Sequence, residues 1–145
     1  MTIAKLFSLS VLLLLLNSCS VEPQPIQYGS DACEFCRMTI ADPRFASEIV
    51  TKKGKAFKFD SIECMIRYMN KNHAEINESS LVLVSNYIRQ ADFIHAENAF
   101  FAISEKIKSP MGEGLAAFAS KDDLQQINQQ DGNSLSWNEL KERIK

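Results

Sequence analysis

Phe57-Lys58-Phe59-Asp60-Ser61-Ile62-Glu63-Cys64-Met65-Ile66-Arg67-Tyr68-Met69 is the stretch in which the apolar period changes, and that change decides the fold. Phe57 and Phe59 flank Lys58 at period two, the spacing of a strand with one buried face. Ile62, Met65, Ile66 and Met69 follow at i, i+3, i+4 and i+7, which is one apolar face of a helix. Asp60 stands three residues before Glu63, a capping-box-like start, and the polar run Asn70 to Asn72 suits the helix end. On the N-terminal side, Phe45, Ser47, Ile49 and Thr51 alternate with Ala46, Glu48 and Val50. The turn signal Lys52-Lys53-Gly54-Lys55 then joins this strand to Phe57 and Phe59 as an antiparallel hairpin. On the C-terminal side, Leu81-Val82-Leu83-Val84 is a short continuous apolar run of the kind found in buried strands. The order of the first unit is ββαβ.

The second half repeats that order. Ala99-Phe100-Phe101-Ala102-Ile103 and Leu115-Ala116-Ala117-Phe118-Ala119 read as paired strands, separated by the longer loop Ser109-Pro110-Met111-Gly112-Glu113-Gly114. Ser120 and Asp123 start a helix carrying Leu124 and Ile127, and Asp131-Gly132 ends it. Ser134 to Trp137 is a short strand, and Asn138 caps a last helix holding Leu140 and Ile144. The expected class is α+β, with two tandem ββαβ-like units over residues 31–86 and 87–145.

The first 18 residues belong to targeting rather than to the fold. Lys5 gives the positive flank, and Val11-Leu12-Leu13-Leu14-Leu15-Leu16 is an apolar core too short to span a bilayer. Leu16-Asn17-Ser18-Cys19 resembles a bacterial lipobox, which implies cleavage before Cys19 and lipid on its sulfur. Residues 19–30, with Pro23, Pro25 and Gly29, read as a flexible lipidated tether. The expected location is a bacterial membrane facing the periplasm. With 16 basic and 18 acidic residues and a net charge of −2, no basic patch marks a nucleic-acid partner. Lipid on Cys19 leaves Cys33, Cys36 and Cys64, an odd number that cannot all pair within one chain.

Cys33-Glu34-Phe35-Cys36-Arg37-Met38 concentrates the chemistry. Cys-x-x-Cys serves thiol–disulfide exchange, zinc or soft-metal binding. Redox motifs place the first Cys at a helix start, whereas Arg37-Met38-Thr39-Ile40 leans toward strand and Asp42-Pro43 follows. Structural zinc wants four ligands, and His73 or His95 would have to supply the fourth. Cu(I) accepts two to four soft donors and tolerates Met. Cys36 and Met38, two apart, share a side of an extended segment, and Cys33 joins them only if the chain turns at Glu34-Phe35. Met111, in an exposed Pro-Met-Gly loop, is the candidate donor from elsewhere, while His95 and Cys64 are accessory candidates. Met65 and Met69 lie on the helix stripe and read as core, and Asp60 reads as a helix cap. No nucleophile motif, His-Glu-x-x-His or phosphate loop is present, so binding or delivery fits better than catalysis. The alternative is thiol–disulfide exchange through Cys33 and Cys36.

Taken together, Cys19, Cys33-x-x-Cys36-x-Met38, Phe57-Lys58-Phe59-Asp60, Asn98-Ala99-Phe100-Phe101 and Pro110-Met111-Gly112 resemble the NosL family of nitrous-oxide reductase accessory lipoproteins. The resemblance runs from Asp31 to about Asp131. It implies two homologous ββαβ-type units, Cu(I) binding, and delivery of copper to nitrous-oxide reductase or another copper enzyme. By matching positions it implies Cys36 and Met38 as core ligands, Met111 as the third, and Cys33 as the mark of a fuller motif that only some members carry. Many members have Gly where this chain has Arg37, which sets a cation beside the site that would favour thiolate.

Overall fold

The computed structural model describes residues 21–72, 76, 79–127 and 134–145. The leader, the Cys19 lipobox, His73 and the Asp131-Gly132 helix stop lie outside the described residues. The first unit has the expected order: β1 (Ser47–Thr51), β2 (Ala56–Phe59), α1 (Ile62–Lys71) and β3 (Ser79–Ser85). β1 and β2 form the hairpin with Ile49 opposite Phe57 and Ser47 opposite Phe59, and β3 pairs antiparallel on the other side of β1. A short strand β4 (Phe93–His95) adds to β3. The sheet order is therefore β2-β1-β3-β4. β4 is too short to show a period, which is why the sequence hides it. It follows residue 86, yet it completes the first sheet.

The second unit has β5 (Phe100–Ile103) and β6 (Leu115–Phe118), then α2 (Lys121–Ile127) and α3 (Trp137–Arg143). The expected strand at Ser134 to Trp137 is one bridge, Phe101 to Leu135. Ser136, rather than Asn138, caps α3, in a full capping box with Glu139. A hydroxyl one residue before the helix bonds the N3 amide, and the N3 carboxylate returns the bond. Asn86 bridges to Ala117 and joins the two sheets. Tyr87 sits between Phe45 and Phe118, with ring centroids 5.6 Å from each.

The alternation in β1 does not leave one face wet, because β1 is buried on both sides. One face takes α1. Phe57 and Phe59 meet Tyr68 at 5.3 and 5.2 Å, and Ile49, Ile62, Met65 and Ile66 fill the space between. The other face is covered by the segment expected to be a free tether. Gln24 N–H donates to the Glu48 carboxylate at 2.9 Å, Ile26 is buried, and Lys58 Nζ reaches both Pro25 O and Asp31 at 2.7 Å. Burial of an ionisable Glu48 and of apolar Ile26 gives the segment a docking place that its Pro-rich composition does not advertise. Among the described residues, no helix is long and apolar enough to cross a membrane.

Candidate metal centre

The Cys33–Met38 stretch is a closed turn. Cys33 N–H donates to Met38 O at 2.8 Å, Arg37 N–H donates to Cys33 O at 3.0 Å, and Ala32 bridges to Thr39. Glu34 N–H donates to Lys58 O at 2.9 Å and tacks the turn to β2. Phe35 packs on the core with the Lys71 ammonium 4.9 Å from its ring centroid. The turn at Glu34-Phe35 on which Cys33 depended is thus formed. Its cost is a left-handed Arg37, with φ +66°, a conformation that disfavours any side chain and suits glycine. That backbone breaks the extended geometry expected from Cys36 to Met38. Cys36 is half-buried, and Met38 is 54% exposed.

Across from the turn stands the first turn of α1. Its cap is Ser61, whose Oγ accepts the Cys64 N–H at 3.1 Å. Asp60, expected to be the cap, is therefore released from that task. The sulfurs of Cys33, Cys36 and Cys64 and a carboxylate oxygen of Asp60 all lie within 4.8 Å of one another. Cys33 and Cys64 are wholly buried, and the three cysteines are free thiols. The fourth member is Asp60, while His95 is exposed at the end of β4 and outside the cluster. Cys64 is fully enclosed because the start of α1 is sandwiched. The sheet lies on one side, and on the other the Ser109–Gly114 loop is held by Ser109 Oγ donating to Glu63 at 3.0 Å and by an Arg67–Glu113 ion pair.

That clamp also decides Met111. Its thioether is half-buried and packs against the core cluster that contains Cys33 and Cys64, not free in an exposed loop. Gly114, with φ +68°, fixes the loop's exit, since a Cβ there would stand 2.3 Å from Ser104 O. Met65 is fully buried and Met69 packs on the same core, as the stripe required.

The three thiols differ electrostatically. The Cys64 thiol donates to Cys33 and, against the opposing effect of burial, pulls Cys33 down to about 6, helped by the amides of Cys36, Asp60 and Phe35. Cys64 is pushed up by that same bond and by burial. Burial, then Cys33, pushes Cys36 up. Arg37 has no part in favouring thiolate, because its guanidinium turns outward to Glu34 at 3.0 Å. Two enclosed sulfurs and a half-buried one stand together, a donor set suited to a soft cation, and the turn that carries two of them ends in an exposed Met38. Sequence reading ranked Cys64 low and gave Asp60 to capping. The sequence offers Ser61 as a cap equal to Asp60 and three residues before Cys64, and the structure takes Ser61.

A protein-family model, NosL, matches residues 25–144 of the chain. No curated protein matches it. The crystal structure of the copper chaperone NosL from Shewanella denitrificans superposes with a TM-score of 0.67 at 22% identity, covering 83% of this chain and 96% of that one. The likeness is one of fold.

Proposed function

The chain belongs to the NosL family, and from that premise we propose that it is a lipid-anchored Cu(I) metallochaperone. The supporting observation is the cluster of three thiols, with Cys33 and Cys64 buried and Cys36 half-buried, on a turn that ends in the exposed Met38. Cys36 and Met38 are the core ligands, Met111 the third donor from the second unit, and Cys33 the inner thiol. His95 is not required. Cu(I) is cargo: it enters and leaves at Met38, where a partner's donors attack while Cys36 still holds the ion. Each exchange replaces one soft donor by another, so no bare ion is released. The recipient is nitrous-oxide reductase or another copper enzyme, reached on the periplasmic side of a membrane to which lipidated Cys19 ties the chain.

Thiol–disulfide exchange would draw on Cys33, whose thiol the neighbouring Cys64 thiol draws down. That thiol is wholly buried, however, while the accessible Cys36 is the one pushed up. An exchange catalyst needs low pKa and access at the same sulfur, so the copper reading is preferred. The test is an anaerobic Cu(I) titration of the reduced protein against a competing chelator. One ion is expected to bind tightly, and Cys36→Ser to weaken it by more than the ~100-fold typical of a lost ligand support, with Met38→Leu also weaker. Reduced wild type that takes up no Cu(I) would sink the reading.

A further inference from the structure

We propose that residues 24–31 form a strap, locked by the positioning residue Lys58, that holds the Cys33–Met38 turn in place, so that lifting the strap loosens the turn for cargo exchange. The purpose of such a device rests on the copper reading, while the positioning stands on the chain's own hydrogen bonds and needs no ion. The turn is the tip of a narrow ladder whose first arm is the end of the strap. Gly29 N–H donates to Ile40 O at 2.8 Å, Ile40 N–H donates to Asp31 O at 2.9 Å, and Ala32 bridges to Thr39 before Cys33 meets Met38. An isolated pair of strands is marginal in water, and the left-handed Arg37 at the tip adds to its cost. The ladder therefore takes its order from what its arms rest on.

Lys58 supports strap and turn at once. Its carbonyl accepts the Glu34 N–H at 2.9 Å, and its ammonium donates to Pro25 O and to the Asp31 carboxylate, each at 2.7 Å. The same Asp31 carboxylate accepts the Gln27 N–H at 2.9 Å and closes the bend between strap and arm. One side chain on β2, the outer strand of the sheet, thus ties the two together. The strap's far hold is the Gln24 N–H on the Glu48 carboxylate. Between Gln24 and Ser30 only Ile26 is buried, with Tyr28 half-buried. A segment with so little buried apolar surface opens at a lower cost than the strands beneath it. The strap is the part able to lift while the fold persists.

The test is amide hydrogen exchange read by mass spectrometry on the purified, reduced, metal-free protein, in wild type, Lys58→Met and Lys58→Arg. Wild type should protect amides in both residues 24–31 and residues 32–40. Lys58→Met keeps the alkyl stem and loses the ammonium. It should speed exchange in both segments at least ~10-fold, the loss of hydrogen bonds to charged groups, with α1 and β3 exchanging as in wild type. Lys58→Arg should restore most of the protection, which a role in stem packing alone would not require. With Cu(I) loaded, Lys58→Met should also pass the ion to a competing chelator faster than wild type. Strap amides that exchange unprotected in wild type, or a Lys58→Met effect that stops short of residues 32–40, overturn the positioning. Both readings are taken without copper, so their failure is distinct from failure of the copper reading. A loosened turn that passes Cu(I) no faster overturns the link to exchange.

Discussion

The two units both open with an antiparallel hairpin followed by a helix, and they use their hairpins differently. In the first, the four-residue turn Lys52–Lys55 closes β1 on β2 tightly, and β3 and β4 extend the sheet. In the second, β5 and β6 stay a two-stranded pair, and the chain between them runs out as a loop that docks on the start of α1. All three core thiols sit in the first unit, while the second supplies the clamp on α1 and, in the proposed copper site, Met111. The difference teaches that a repeated topology need not repeat a role. One copy builds the rigid floor of the site, and the other lends it a wall.

If the two units are one cooperative body, damage to either core should be felt by both. Phe59 and Phe118 are each fully buried, one in each unit. Phe59→Ala and Phe118→Ala should each cost about 3–5 kcal/mol, with one unfolding transition by far-UV circular dichroism in both. A two-step melt for Phe118→Ala would split the molecule where the aromatic stack at Tyr87 now joins it.

The wall can be loosened without touching a donor. Gly114→Ala forces a Cβ onto Ser104 O and a side chain into φ +68°, at roughly 1–3 kcal/mol. Cu(I) affinity should fall, while a Met111→Leu background should hide most of that fall. A smaller change is Ser109→Ala, which removes the hydroxyl that donates to the buried Glu63 carboxylate and accepts from Gly114 N–H. Chemical denaturation should register about 1–3 kcal/mol.

The smallest effect concerns the far face of the first sheet. Burial raises Glu48, against the Gln24 amide and Lys58. Its protonated form is therefore favoured by folding. The resulting stability is complete below the ordinary carboxylate range and lost as pH rises through the raised value. Glu48→Gln should gain on wild type as pH climbs from acid toward neutral. A stability gap that stays flat across that range would show that Glu48 is not perturbed.

Much of the floor was legible in the sequence because it rests on periods. The switch from Phe57 and Phe59 to the Ile62–Met69 stripe gave β2 and α1, and the apolar run at Leu81 gave β3. What escaped depends on partners distant in sequence. Docking of Gln24 and Ile26 follows from a buried Glu48, and β4 from an open edge of β3. The Met111 loop read as exposed because its composition shows the turn but not Glu63 and Arg67 waiting opposite. At the site, Cys33, Cys36 and Met38 stood out by spacing. Cys64 and Asp60 did not, because only the turn at Glu34 brings them to the other thiols.

The most direct test of a site walled by both units is X-ray absorption at the copper edge on the Cu(I)-loaded protein, in wild type and Met111→Leu. The account predicts a first shell made of sulfur that loses one scatterer in the variant. A shell of nitrogen or oxygen, or one unchanged by Met111→Leu, would contradict it.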